Sequence, residues 1–275
     1  MNDKIEKLGN SIIQHGKYNN RIYVMKFNPL DMPWLIPEID EMALKNGYTK
    51  IFVKVPANFV PDFILHGYAI EGSIPLFFNS KTDCFFVSKF LDEQRKKIPE
   101  NELAGFVSLL STSLNNNNNS LFEYEIGKLG IEDSEAISEI FKQIFETYPF
   151  PVHKASYIEK TMNDNTTWYF GVKNGARLIG VSSAEIDLNY QNAEMTDFAV
   201  LPEYRGKKIA YHLLKRMERE MKSIQIKTLY TIARLKEPGM NKTFIKSGYS
   251  YSGTLLNNTN ISGNIESMNI FYKHI

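Results

Sequence analysis

Cysteine is nearly absent: Cys84 stands alone among 275 residues. No intrachain disulfide can form, which is compatible with a reducing compartment. Cys84 lies in the apolar run Cys84-Phe85-Phe86-Val87, a setting that suits a packed thiol better than a reactive one. Histidine is scarce too. His15, His66, His153, His212 and His274 are scattered, none at metal-ligand spacing from a Cys, Asp or Glu, so no metal site is expected. Neither sign of charge is in excess. With 32 basic and 31 acidic residues the net charge is +1, which gives no support for a nucleic-acid groove or a polybasic membrane anchor. No run of about 18 apolar residues occurs, so no membrane span is expected. Met1-Asn2-Asp3-Lys4-Ile5-Glu6 mixes charges and lacks the apolar stretch of a signal peptide. The expectation is a soluble, cytoplasmic protein.

Hydrophobic residues, at 43%, suffice for a core without a disulfide or metal staple. The clearest punctuation is Asn115-Asn116-Asn117-Asn118-Asn119-Ser120, a tract with nothing to bury. It divides the chain into residues 1–114, a linker at 115–120 and residues 121–275. In the second part, spacing predicts a strand at 121–126 and a helix after Asp133-Ser134, stopped at Tyr148-Pro149-Phe150-Pro151. A helix at 155–162 and strands at 168–172 and 177–187 follow, joined by the hairpin signal Asn174-Gly175. Then come a strand at 194–200, a helix to about 223, a strand at 227–234, a helix at 240–247, and strands near 249–256 and 266–273. Helices between consecutive strands imply a parallel crossover in a mixed α/β (α+β) sheet. The first part repeats half of this order, with strands at 21–27 and 50–55 and helices at 34–46 and 59–66. Phe63 to Gly72 aligns with Phe244 to Gly253 at five identities in ten, so the first part reads as a degenerate copy of the second.

One junction carries chemistry. After the strand ending at Val200, Pro202 sets a turn, Gly206 allows close backbone approach, and a helix begins near Ile209 and Ala210. The unpaired N–H groups of its first turn, its dipole, and Arg205, Lys207 and Lys208 suit a diphosphate. A solvated basic helix start explains the cations equally well. On the preceding strand, Glu194 and Asp197 are candidate carboxylates for taking a proton from an amine or binding it. Strict alternation puts them on opposite faces unless a bulge intervenes.

Phe198 to Ala210 resembles the acetyl-CoA signature of the GNAT acetyltransferase superfamily, and the element order from 121 to 275 resembles that fold. The resemblance implies splayed parallel strands preceded by a half-GNAT-like domain. It implies acetyl-CoA as co-substrate and no metal. The donor's contacts would be Phe198, Ala199, Val200, Arg205, Gly206, Lys207, Lys208, Ile209, Ala210 and Asn241, with a strand N–H polarising the acetyl carbonyl. Three departures stand out. Lys208 replaces the usual second glycine and is strained if its φ is positive, Glu203 replaces a Gln or Arg, and Phe244 stands where many members carry a tyrosine acid. Tyr230 and Tyr251 remain as alternative acids.

Further strings, among them Tyr148-Pro149-Phe150-Pro151, Ala193 to Phe198, Tyr230 to Arg234 and Glu266-Ser267-Met268-Asn269, resemble the β-lysine-acetylating branch of that superfamily. This resemblance implies acetylation of the N6 amine of (3S)-β-lysine to a compatible solute used in osmoadaptation. It suggests Arg234 for the acceptor's carboxylate, though a surface ion pair explains Arg234 equally well, Asp197 or Glu266 for its β-amine, and Tyr148 and Asn257 for neutral contacts. The partner is then a small-molecule amine, and a homodimer stays open. The alternatives are a GNAT enzyme for another amine, or an inactive acetyl-CoA sensor.

Overall fold

The computed structural model describes residues 3–111 and 122–275. The sequence patterns become elements for local reasons. Ile209, Leu213, Leu214, Met217 and Met221 recur at helical spacing, and all five are buried on one face of the helix Ile209–Ser223. In the helix Ser134–Ile144 the same spacing buries Ile137, Ile140 and Phe141.

In chain order, the first half contains β1 (Lys4–Leu8), β2 (Ser11–Gly16), β3 (Arg21–Lys26), α1 (Leu35–Asn46), β4 (Lys50–Pro56), α2 (Val60–Leu65), β5 (Ala69–Phe78), β6 (Thr82–Phe90) and α3 (Glu100–Ser111). The second contains β7 (Glu125–Lys128), α4 (Ser134–Ile144), α5 (Ala155–Asn163), β8 (Thr167–Asn174), β9 (Arg177–Asp187), β10 (Asn192–Val200), α6 (Ile209–Ser223), β11 (Thr228–Arg234), α7 (Pro238–Lys246), β12 (Ser250–Ile261) and β13 (Asn264–His274). No helix among the described residues is long and apolar enough to cross a membrane.

All the strands join one sheet, ordered β1-β2-β3-β4-β6-β5-β12-β13-β11-β10-β9-β8-β7. The order is a near-palindrome. Each half has one parallel pair, β3/β4 and β10/β11, flanked by antiparallel pairs in matching positions. The halves meet where Gly72 of β5 pairs with Gly253 of β12, the two glycines that align in the sequence repeat. A Cβ on Gly253 would stand 2.1 Å from the Glu71 carbonyl oxygen and 2.6 Å from the Gly72 Cα, so side chains cannot fit there.

The sheet rolls up. From β4 to β11 is five strand steps, or about 24 Å on a flat sheet at ~4.8 Å per step. Yet Lys54 Nζ on β4 donates to the Tyr230 hydroxyl on β11 at 3.1 Å. Inside the roll, Tyr23, Phe52, Ile74, Cys84 and Phe86 of the first half pack with Tyr230, Leu255, Met268 and Ile270 of the second. A row of buried cations fastens the halves. Lys50, Arg95 and Arg21 donate to the carbonyls of Leu256, Asn257 and Asn258 at 2.8, 2.7 and 2.5 Å, where β12 leaves its register with β13. Lys50 also pairs with buried Glu71 at 2.8 Å.

The division proposed at 115–120 lies outside the described residues. Residues 100–111, read above as part of the first unit, pack on the second. Phe106 of α3 is buried edge-on against Tyr251 and Phe271, with centroids 5.0 and 6.1 Å apart. The strand expected at 121–126 forms at 125–128. Before it, Phe122 stacks on His212 of α6 at 4.0 Å, and Tyr124 meets Tyr204 and Lys207 ahead of that helix.

Candidate active site

β10 and β11 pair only from Asn192–Glu194 to Thr228–Tyr230. Beyond that β10 follows β9, while β11 follows β13 as far as Arg234. The parallel strands therefore part, and each loses its partner on one side. A bulge lies at the parting. Thr196 opposes Ser183 and Ala199 opposes Val181, so Asp197 and Phe198 share one position on β9. Asp197 has a φ of 56°, a left-handed conformation that Asp tolerates better than most residues. The inserted residue cancels the alternation, and Glu194 and Asp197 line the same cavity.

Two cavities meet here. The first, about 650 Å³, runs from the gap between the strands to the start of α6. Its walls include Phe198, Val200, Arg205, Gly206, Lys208, Ile209 and Ala210, with Lys242 and Lys246 of α7. The first intrahelical bond of α6 runs from His212 N–H to the Lys208 carbonyl at 3.1 Å, so the N–H groups of Ile209, Ala210 and Tyr211 precede the helical ladder. Gly206 has φ 81° and Lys208 has φ 60°. A left-handed Lys208 carries strain of about 1–2 kcal/mol, which a glycine would not. Arg205 Nε donates to the Val200 carbonyl at 3.4 Å. Glu203 is held by Arg177 at 2.8 Å. Lys207 turns aside, with its ammonium 3.0 Å from the Tyr124 hydroxyl. Phe198 and Phe244 meet edge to face at 5.6 Å, and Ala199 is buried in the core.

The second cavity, about 570 Å³, lies inside the roll and takes walls from both halves. On one side are Glu185, Glu194, Asp197 and Tyr230; on the other are Arg21, Tyr23, Phe52 and Lys54. Glu194 and Glu185 are direct cross-strand partners, a like-charge pairing that sheets ordinarily avoid. Glu185 touches solvent within the cavity although protein encloses it. That enclosure, then Glu194 and Asp197, push its pKa up to about 8. Burial also raises Glu194 above the usual carboxylate range, against the pull of Lys54 and Tyr230. Asp197 accepts from the Tyr148 hydroxyl and from Ser183 Oγ at 2.5 Å. Burial raises its pKa and these bonds oppose the rise. Tyr148, Thr196, Asp197, Ile232, Ile261 and Met268 line both cavities, so Asp197 stands where the two spaces join.

Other expected residues have different occupations. Arg234 lines the first cavity, but its Nε and Nη2 already donate to Glu266 at 2.8 and 2.7 Å, and Glu237 lies 3.1 Å away. Protein carboxylates thus occupy this fork, and Glu266 is 4% exposed. Asn257 donates to the carbonyls of Arg95 and Lys97 at 3.0 and 2.7 Å, tying β12 to the first half. Asn241 is fully buried and caps the carbonyls of Arg234, Leu235 and Glu237. Tyr251 packs on Phe106 and Phe271 and lines neither cavity. Glu185 and the first-half wall were missed. Counting back across the Leu188–Gln191 turn would have set Glu185 opposite Glu194; nothing local marks Arg21 or Lys54.

A cation-rich helix start beside a split parallel pair, with a carboxylate at the split, can hold a phosphorylated donor next to a group able to take a proton from an amine. Residues 134–249 match the Acetyltransferase (GNAT) family. The chain belongs to the GNAT acetyltransferase family and is by class an acetyl-CoA-dependent acyltransferase. It is 38% identical over 275 aligned positions, 98% of both chains, to Beta-lysine N(6)-acetyltransferase of Methanococcus maripaludis. N-acetyltransferase YodP of Bacillus subtilis is 33% identical over 269 positions, 96% of both chains. Beta-lysine N(6)-acetyltransferase of Methanosarcina mazei is 37% identical over 139 positions, 50% of this chain and 51% of that one.

Proposed function

We propose that the protein transfers the acetyl group of acetyl-CoA to the N6 amine of (3S)-β-lysine, in the cytoplasm, giving N6-acetyl-β-lysine. The full-length likeness to an enzyme of that name supports the acceptor. The observation that carries the chemistry is the junction of the two cavities at Asp197. The donor enters by the first cavity. Its diphosphate meets the N–H groups at the start of α6, with Arg205 and Lys208 beside them, and Lys242 and Lys246 across the opening. Its thioester reaches the parting of β10 and β11, where main-chain N–H groups released from pairing polarise the carbonyl.

The acceptor enters by the second cavity. An alkyl ammonium with a pKa of ~10.4 must lose a proton, which costs about 4.6 kcal/mol at pH 7. Asp197, shared by both cavities, holds the reacting N6 amine and draws off that proton. The facing pair Glu185 and Glu194 then receives the second ammonium of the acceptor. That cation resolves the repulsion between them. Phe244 has no proton to give, so the departing thiolate takes its proton from solvent.

The test is CoA release measured with a thiol reagent. Turnover on β-lysine at least about tenfold above α-lysine, spermidine and a lysyl peptide in kcat/KM supports the reading. Equal or better turnover on any of these overturns the acceptor. Failure of acetyl-CoA to bind, measured by calorimetry, overturns the donor site as well.

A further inference from the structure

The second cavity is electrically two-sided. Its second-half wall carries four carboxylates, Glu185, Asp187, Glu194 and Asp197, and its first-half wall carries Arg21, Lys26 and Lys54. Neither Arg21 nor Lys54 forms an ion pair with a carboxylate of the described residues. Among the described residues the hydrogen-bond and ring partners of Lys54 are neutral, with Glu194 attracting it from farther off: Nζ meets the Tyr230 hydroxyl at 3.1 Å and lies over the Tyr23 and Tyr230 rings at 5.7 and 5.4 Å. Arg21 is 4% exposed. Its Nη1 donates to the Asn258 carbonyl and to Thr259 Oγ1, at 2.5 and 3.2 Å, but its buried Nε has no hydrogen-bond partner among the described residues. Burial lowers the Arg21 pKa to about 10, which leaves the guanidinium charged at neutral pH. A buried cation with an unused donor on a cavity wall costs stability unless an anion arrives.

We propose that Lys54 and Arg21 bind the carboxylate of the acceptor, making the first half the part of the enzyme that selects an amino acid over a plain amine. This rests on the acceptor reading above and deepens it. The order of groups along β-lysine fits the order of groups along the cavity. The N6 amine lies at the junction with Asp197, the β-ammonium at Glu185 and Glu194, and the carboxylate beyond them at Lys54. Tyr230 links the last two stations, since its hydroxyl accepts from Lys54 and its side chain lies close enough to Glu194 to favour that carboxylate's charged form.

The test compares β-lysine with 1,4-diaminopentane, which is the same molecule with its carboxylate replaced by hydrogen. The wild-type enzyme is expected to prefer the acid by about tenfold or more in kcat/KM, the worth of one charge-assisted hydrogen bond. In Lys54→Met the preference falls to within about threefold through a higher KM for the acid, and Lys54→Arg restores most of it. Arg21→Lys, which keeps the charge but not the donor geometry, reduces the preference in the same direction. A wild-type ratio near one overturns the proposal, as does a Lys54→Met enzyme that slows acid and diamine by the same factor. Absence of turnover on β-lysine is a separate failure, of the acceptor reading. The ratio of α-lysine to 1,5-diaminopentane then reads the carboxylate site in the same variants.

Discussion

Replacing Glu185 by Gln should make the protein more stable and a worse enzyme. Glu185 faces Glu194 across an antiparallel pair, and opposed residues in a sheet place their Cβ atoms about 5 Å apart. Two full charges at about 5.5 Å with an effective dielectric of 20 repel by about 3 kcal/mol. Solvent within the cavity and the nearby Lys54 reduce this to about 1 kcal/mol. The fold raises the Glu185 pKa above its unfolded value, towards about 8. The native state therefore binds more protons than the unfolded chain between those values. Stability falls as pH rises through that window, because the pair must then carry two charges. Glu185→Gln removes this loss. Its Tm should exceed that of the wild type by about 2 °C at pH 9, given ~2–4 °C per kcal/mol in somewhat smaller proteins, and by less at pH 5. The same variant should lose at least about tenfold in kcat/KM for β-lysine, because one ligand of the second ammonium is gone. Differential scanning calorimetry at the two pH values and CoA-release kinetics measure both effects. A Tm gain that is equal at both pH values, or a Tm loss, refutes the like-charge account. Full activity in the variant refutes the functional purpose assigned to the pair.

Three further outcomes are expected. Asp197→Asn should lower kcat by ~10²–10⁴ while calorimetry shows unchanged acetyl-CoA binding, and equal kcat in the variant would remove Asp197 from proton transfer. Arg234→Ala strands buried Glu266 and should destabilise by about 3 kcal/mol in urea melts, with the KM for β-lysine unchanged in the folded fraction; a raised KM would return Arg234 to the acceptor site. Gly253→Ala forces a methyl group into the Glu71 carbonyl and should cost more than about 2 kcal/mol, so a neutral melt would mean that the two halves are not pinned at that strand pair.

Much of the second half was legible because its signals are local. The apolar face of α6, the Asn174-Gly175 turn and the Pro202 to Ile209 junction each declare themselves within a few residues, and the structure realises them near the expected bounds. Asp197 was legible as a carboxylate on the right strand but not as a bulge, since the pattern leaves the extra residue unmarked until the partner strand is known. An ion pair was one of the two readings open for Arg234, but nothing in the order of residues shows that its partner is Glu266 across β11 and β13. α3 looked like the end of the first part because the chain runs straight into it, whereas Phe106 finds its apolar neighbours on β12 and β13. The first-half wall of the second cavity was beyond reach. Lys54 and Tyr230 are 176 positions apart, and only the rolling of the sheet brings them together.

The two cavities are not shared equally. All the residues lining the first come from the stretch between Ile144 and Met268, whereas the second draws on both ends of the chain. On the function proposed above, loading the acetyl donor and choosing its recipient fall to different portions of the polypeptide. Substitutions on β3 and β4 can retune the choice of recipient while the donor machinery stays as it is.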